Sequence, residues 1–148
     1  MNNQILENPE NYGLDFAEEV TTGITEKINT VFPSNESMQM KAYAANVLIG
    51  NVPAKKVSDC VGDVFNLCGF YVKDVLFRES NKKGTYTYMF GKKDNVPCAY
   101  CTSSEKVYDA LKKIIIIYGE PKVWKQSIKI KIRMNTENDS KAYSLELV

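Results

Sequence analysis

Residues 128–133 read Ile-Lys-Ile-Lys-Ile-Arg. A hydropathy period of two sends every apolar side chain to one side of an extended backbone and every cation to the other, which a helix of period 3.6 cannot do. The stretch 126–134 is therefore predicted as a strand, with Ile128, Ile130 and Ile132 inward and Lys129, Lys131 and Arg133 outward. The same grammar governs 85–90, where Tyr86, Tyr88 and Phe90 alternate with Thr85, Thr87 and Met89. Residues 63–78 are rich in Val, Phe and Tyr. A strand that long bends, and Gly69 near its middle is where it can do so. Residues 96–102 and 142–148 supply a short strand and a last one, with polar turns at 79–84, 91–95 and 135–140.

One helix interrupts the strands. Thr102-x-x-Glu105 has capping-box spacing, Val107, Leu111, Ile114, Ile115 and Tyr118 form a stripe, and Gly119 with Pro121 stops it. Ile114 to Ile117 is apolar on every side, so the last turn is expected to be covered. A second helix is predicted after Ser34, with Met38, Ala42, Ala45 and Ile49 on its buried stripe and Gly50 and Pro53 at its end. Earlier still, Ala17, Val20, Ile24, Ile28 and Val31 recur at helical steps, weakened by Thr21, Thr22 and Gly23. Residues 1–33 are thus an acidic N-terminal segment, a marginal helix or mobile. Residues 34–148 are one domain with a leading helix. The order strand, strand, strand, helix, strand, strand is that of the OB-fold: a mostly-β, five-stranded barrel with a helix between strands three and four, here preceded by an N-terminal helical segment.

The residues that are missing exclude whole chemistries. With no histidine among 148 residues, Ser-His-Asp and Cys-His catalysis and histidine-ligated metals are impossible. No phosphate-cradling glycine loop is present. Carboxylates such as Asp59 and Asp63 flank no recognisable metal triad or phosphate loop, so no catalytic residue is assigned and no enzyme is expected. The longest wholly apolar run, Ile114 to Tyr118, is far short of the roughly 20 residues a membrane span needs. The acidic, polar start is unlike a signal peptide, so a soluble cytoplasmic chain is expected. Cys98-Ala-Tyr-Cys101 has the spacing of zinc knuckles and redox dithiols, but Cys60 and Cys68 supply no second pair and the motif falls at a strand end. These cysteines are read as small apolar residues; no metal and no cofactor are expected.

Charge is unevenly spread. Residues 1–40 hold one basic and seven acidic residues, a net of −6, whereas 41–148 hold eighteen basic and eleven acidic, a net of +7. A basic body points to a polyanion. Candidate phosphate contacts are Lys82 and Lys83 in the first loop, Lys92 and Lys93 in the next turn, and Lys122, Lys125, Lys129, Lys131 and Arg133, a stretch without an acidic residue. Alternating lysines also make an ordinary solvated face. Aromatics are 11% of the chain, and base stacking on them is a mode of single-strand binding. Tyr86, Tyr88, Tyr100 and Trp124 are the candidates. Against them stands the barrel's need for an interior: Tyr86, Tyr88 and Phe90 can be core, leaving Thr85, Thr87 and Met89 outside, and Trp124 can pack on the helix end.

Several stretches resemble one family. They are Ser58-Asp59-Cys60-Val61-Gly62, Lys73-Asp74-Val75, Tyr100-x-x-Ser103, Val107-Tyr108-Asp109-Ala110-Leu111-Lys112-Lys113-Ile114, Gly119-Glu120-Pro121-x-x-Trp124 and Leu145-Glu146-Leu147. In this order, over residues 41–148, they resemble the single-stranded DNA-binding proteins of phages and mobile elements of Gram-positive bacteria. The resemblance implies an OB-fold that coats single-stranded DNA during replication or recombination in the bacterial cytoplasm. Replication or recombination proteins are then candidate partners, and homo-oligomers are compatible with it. The acidic residues 1–33 depart from the family's short N-terminus, and the acidic C-terminal tail of cellular single-strand binders is absent. The alternative is a protein-interaction module of a phage or plasmid replisome on the same barrel, without direct nucleic-acid binding.

Overall fold

A computed structural model describes residues 17–19, 31–77, 82–137 and 140–148; at 17–19, 76, 77, 82, 83, 137 and 140 it describes the backbone alone. In chain order the strands are β1 (Ala17–Glu19), β2 (Lys55–Lys56), β3 (Val64–Phe77), β4 (Lys82–Lys93), β5 (Val96–Thr102), β6 (Ile128–Glu137) and β7 (Ser140–Leu147). The helices are α1 (Met38–Ile49) and α2 (Glu105–Tyr118). The strands pair in the order β2-β5-β4-β3-β6-β7, with β1 added to β3. This is a mostly-β, curled half-barrel. Its five long strands stand in the predicted order with α2 between the third and fourth, and two short strands, β1 and β2, are additional. Among the described residues no ladder joins β5 to β7. The start of α2 bridges that seam, where the Ser104 hydroxyl donates to the Tyr143 carbonyl at 3.3 Å.

Gly69 does bend β3. The β3–β4 register slips between Leu67 and Gly69, so Cys68 is an extra residue with no partner on β4. A bulge of this kind reverses the alternation. Phe65 and Leu67 face the inner core before it, and Phe70 and Val72 do so after it. Both faces of the central strands are then buried. Inside lie Phe65, Leu67, Phe70, Met89, Tyr100 and Ile130 under Val107, Leu111 and Ile114 of α2. Outside, Tyr86, Tyr88, Phe90 and Val75 lie under Phe32, Met40, Ala44 and Val47.

The second core corrects several expectations. Ala17–Glu19 is a strand, antiparallel to Val75–Phe77, rather than the start of a helix; the rest of that expected helix, to residue 30, lies outside the described residues. Val31 accepts a backbone hydrogen bond from Phe70, and Phe32 is buried. For α1 the cap is Ser37, whose side chain accepts from Met40 N–H, and not Ser34. Its buried stripe is Met40, Ala44 and Val47, while Met38 and Ile49 are exposed. The sequence MQMKAYAANVLI is apolar on too many sides for periodicity alone to select the face. Gly50 ends α1 as expected, in the left-handed region at φ 102°. For α2 the cap is Ser104, and Glu105 accepts from Thr85 instead of closing a box with Thr102. The last turn of α2 is not covered: Ile116 and Ile117 are each 77% exposed.

Two substitutions test this packing. A β-carbon on Gly69 would lie 2.1 Å from the Val31 carbonyl oxygen. Gly69→Ala must therefore push residues 31–33 off the sheet, and a loss of about 1–3 kcal/mol is expected in urea unfolding. Thr87 is fully buried and its hydroxyl has no hydrogen-bond partner. An orphaned buried hydroxyl costs about 1–3 kcal/mol, so Thr87→Val should raise stability in the same assay; a loss would show that the hydroxyl is satisfied.

Candidate nucleic-acid interface

The basic residues predicted on the surface divide into three groups. Lys82 and Lys83 lie on β4, but their side chains fall outside the described residues. Lys93 and Arg133 are engaged within the chain: Lys93 Nζ stands 3.2 Å from Asp63 Oδ1, and Arg133 is 2.6 Å from Glu146 Oε1. The remaining five, Lys92, Lys122, Lys125, Lys129 and Lys131, are exposed or half-buried. Register brings some of them together. Asn66 of β3 is opposite Lys92 of β4 on one side and Lys129 of β6 on the other, which sets Lys92, Asn66 and Lys129 in a row across three strands. The tight β4–β5 turn, with Asp94 and Asn95 both at positive φ, closes one end of that row.

Two concavities run along this surface. One, of about 330 Å³, is lined by Asn66, Lys92, Lys93, Asp94, Asn95 and Lys129. The other, of about 390 Å³, is lined by Tyr118, Val123, Trp124, Lys125, Lys129 and Val148. Lys129 borders both. The pair form one track with cations along it and, at the α2 end, an aromatic ring 48% exposed, that of Tyr118. Sequence reasoning assigned Tyr118 to the buried stripe of α2. The signal that could have placed it outside is Gly119, which ends the helix and leaves the last turn without a covering element.

The aromatic candidates are corrected. Tyr86 and Tyr88 are each 4% exposed, Tyr100 is fully buried and Trp124 is 6% exposed. None of them presents a ring face to solvent. Tyr86 and Tyr88 pack edge-on at 5.5 Å beneath α1, and the Lys73 amine lies 5.8 Å from the Tyr88 ring centre. The opposite face of β4, with Thr85, Thr87 and Met89, is buried as well, because α2 covers it. Trp124 packs 6.0 Å from Phe70, and its Nε1–H donates to the Gly119 carbonyl at 2.8 Å. It pins the end of α2 to the core. The Tyr100 hydroxyl donates to Asp63 Oδ2 at 3.0 Å, and burial raises its pKa well above the usual phenol value, with Cys98 and Asp63 adding to the effect.

Cys98 and Cys101 lie on strand β5 three positions apart, so their side chains point to opposite faces. Cys98 packs against the inner core and Cys101 belongs to the outer one. The pair can neither share a metal nor close a disulfide in this fold. Burial pushes the thiols of Cys98 and Cys68 up to about 11. Among the described residues no group of three or more Cys, Asp and Glu is placed to hold a metal, and no helix is long and apolar enough to cross a membrane. Compared with known proteins, the chain matches no family model, no curated protein and no solved structure.

The thiols give a direct check of this placement. At pH 8 those of Cys68 and Cys98 remain protonated in the folded chain, so iodoacetamide should modify them far more slowly than in urea. Rapid native-state alkylation of Cys98 would place it outside the core.

Proposed function

We propose that this protein binds single-stranded DNA without sequence preference and without catalysis, on an OB-type barrel, as phages and mobile elements require during replication or recombination. The strand order with α2 between β5 and β6 supports the barrel assignment. The single observation that carries the binding reading is the position of Lys129 in both concavities. A phosphate backbone lying along Lys92, Lys129 and Lys125 meets three cations that line the concavities. Asn66 sits between Lys92 and Lys129 as a neutral donor and acceptor. At the far end one base can stack on Tyr118, the interaction that the buried tyrosines of β4 do not provide. Binding of this kind is mainly electrostatic.

The test is a titration with fluorescently labelled oligo(dT). With about four phosphate contacts, log K should fall against log[salt] with a slope near −3, at about −0.7 per contact. Lys129→Glu should weaken binding more than any other single lysine reversal. Tyr118→Ala should cost about 1–3 kcal/mol, the worth of one stacked base. Duplex DNA of equal length should bind less tightly. An affinity that ignores both salt and Lys129→Glu would remove this reading.

A further inference from the structure

The recessed surface that carries the basic track does not stop at the β4–β5 turn. The concavity beside that turn shares Lys93 with another, of about 700 Å³, which reaches Lys55 and Lys56 of β2. This one in turn shares Lys56 and Ser58 with a third, of about 430 Å³, at the open seam between β5 and β7. There β2 takes, in parallel pairing, the edge of β5 that closure onto β7 would use. Register gives the scale. Lys93 is opposite Val96 and Lys56 opposite Cys101. Those five steps of β5 span about 17 Å, at about 3.3 Å each.

Cations stand on both sides of this route, Lys55 on β2 and Lys141 on β7. Both are exposed, and among the described residues neither is in an ion pair. The carboxylates along it are Asp59, Asp63 and Glu105. Two of them have partners inside the fold. Asp63 holds Lys93 at 3.2 Å and accepts from the Tyr100 hydroxyl at 3.0 Å, and Glu105 accepts from the Thr85 hydroxyl at 3.4 Å. That leaves Asp59 against Lys55 and Lys141. A compact anion would use one concavity and leave the others idle. A ligand whose negative charge repeats along its length uses all of them, since each neutralised phosphate adds its own counterion release.

We infer, resting on the single-strand reading of the track, that a strand bound there continues past the β4–β5 turn, along β2 and into the seam between β5 and β7. Lys55 and Lys141 take phosphates at this far end, which a shorter strand seated on the track does not reach.

Strand length separates the two halves of the path. Oligo(dT) of about 6 and about 16 nucleotides, within the range of site sizes of OB barrels, is titrated against the full chain. At about 50 mM salt the double variant Lys55→Gln/Lys141→Gln should bind the longer strand about tenfold more weakly and the shorter one as the wild type does. Its salt slope on the longer strand should be shallower by about 1.4, two contacts at about 0.7 each. Both positions are exposed, so Tm should not move. Lys129→Glu should weaken both lengths. If it does, while the double variant matches the wild type on both, the strand ends at the turn: the extension is overturned and the track stands. Equal weakening of both lengths by the double variant would also overturn it, by making the seam the first site rather than a continuation. Binding that ignores salt and Lys129→Glu at either length removes the track and its extension together.

Discussion

Cys68 is the extra residue in the ladder between β3 and β4, and by its presence the two halves of β3 turn opposite parities to the barrel. Phe65 and Leu67 face inward on one side of it and Phe70 and Val72 on the other. Without the bulge, the alternation of Phe65 and Leu67 would carry on to Gly69, Tyr71 and Lys73, putting a glycine and a lysine into the inner core. The bulge also leaves Gly69 bare where Val31 crosses the strand, with its carbonyl oxygen where a side chain would begin. One inserted residue thus sets the inner core and opens the seat on which the segment leading to α1 lies. Gly91 serves the same region from β4, since a β-carbon there would meet the Asn66 carbonyl oxygen at 2.1 Å.

The cost of two cores on one sheet is that β4 has no free face. Tyr86, Tyr88 and Phe90 go to the outer core and Met89 to the inner one. Any ligand surface must then come from the strands α1 does not cover, from loops, or from helix ends. The basic track follows from this. It uses β6, the β3 residue opposite it, the end of β4 and the last turn of α2, which project beyond the two covered layers.

The strand grammar was legible because alternation is a local property: Ile128, Ile130 and Ile132 are buried as their period demands. The strand order and the place of α2 followed from the same pattern. What local pattern does not carry is which side of a covered strand meets which layer. Tyr86 and Tyr88 alternate with Thr85 and Thr87 whether one face is wet or both are dry. The second layer comes from residues 31–54, whose own sequence is too evenly apolar to reveal a face. The family-like stretches behave accordingly. Tyr100, Val107, Leu111 and Trp124 are core residues here, so these stretches bear on packing rather than on contacts with a ligand.

Net charge was the weakest guide, because the carboxylates are not spread evenly over the cations. Asp63 holds Lys93, Asp109 holds Lys112 at 3.0 Å, and Glu146 holds Arg133. Each pair cancels at short range and adds little to the field a few ångströms away. Among the described residues Lys92, Lys125, Lys129 and Lys131 have no such partner in the fold. Lys92, Lys93, Lys125 and Lys129 line the two concavities with Asp94 as the one acidic side chain among them, and a polyanion responds to such a local balance before it responds to the total. The division also separates the cations of the alternating strand β6. Of its three outward cations Arg133 is tied to Glu146 of β7 and Lys131 is opposite that same carboxylate in the register, while Lys129 has Lys92 as its neighbour across β3.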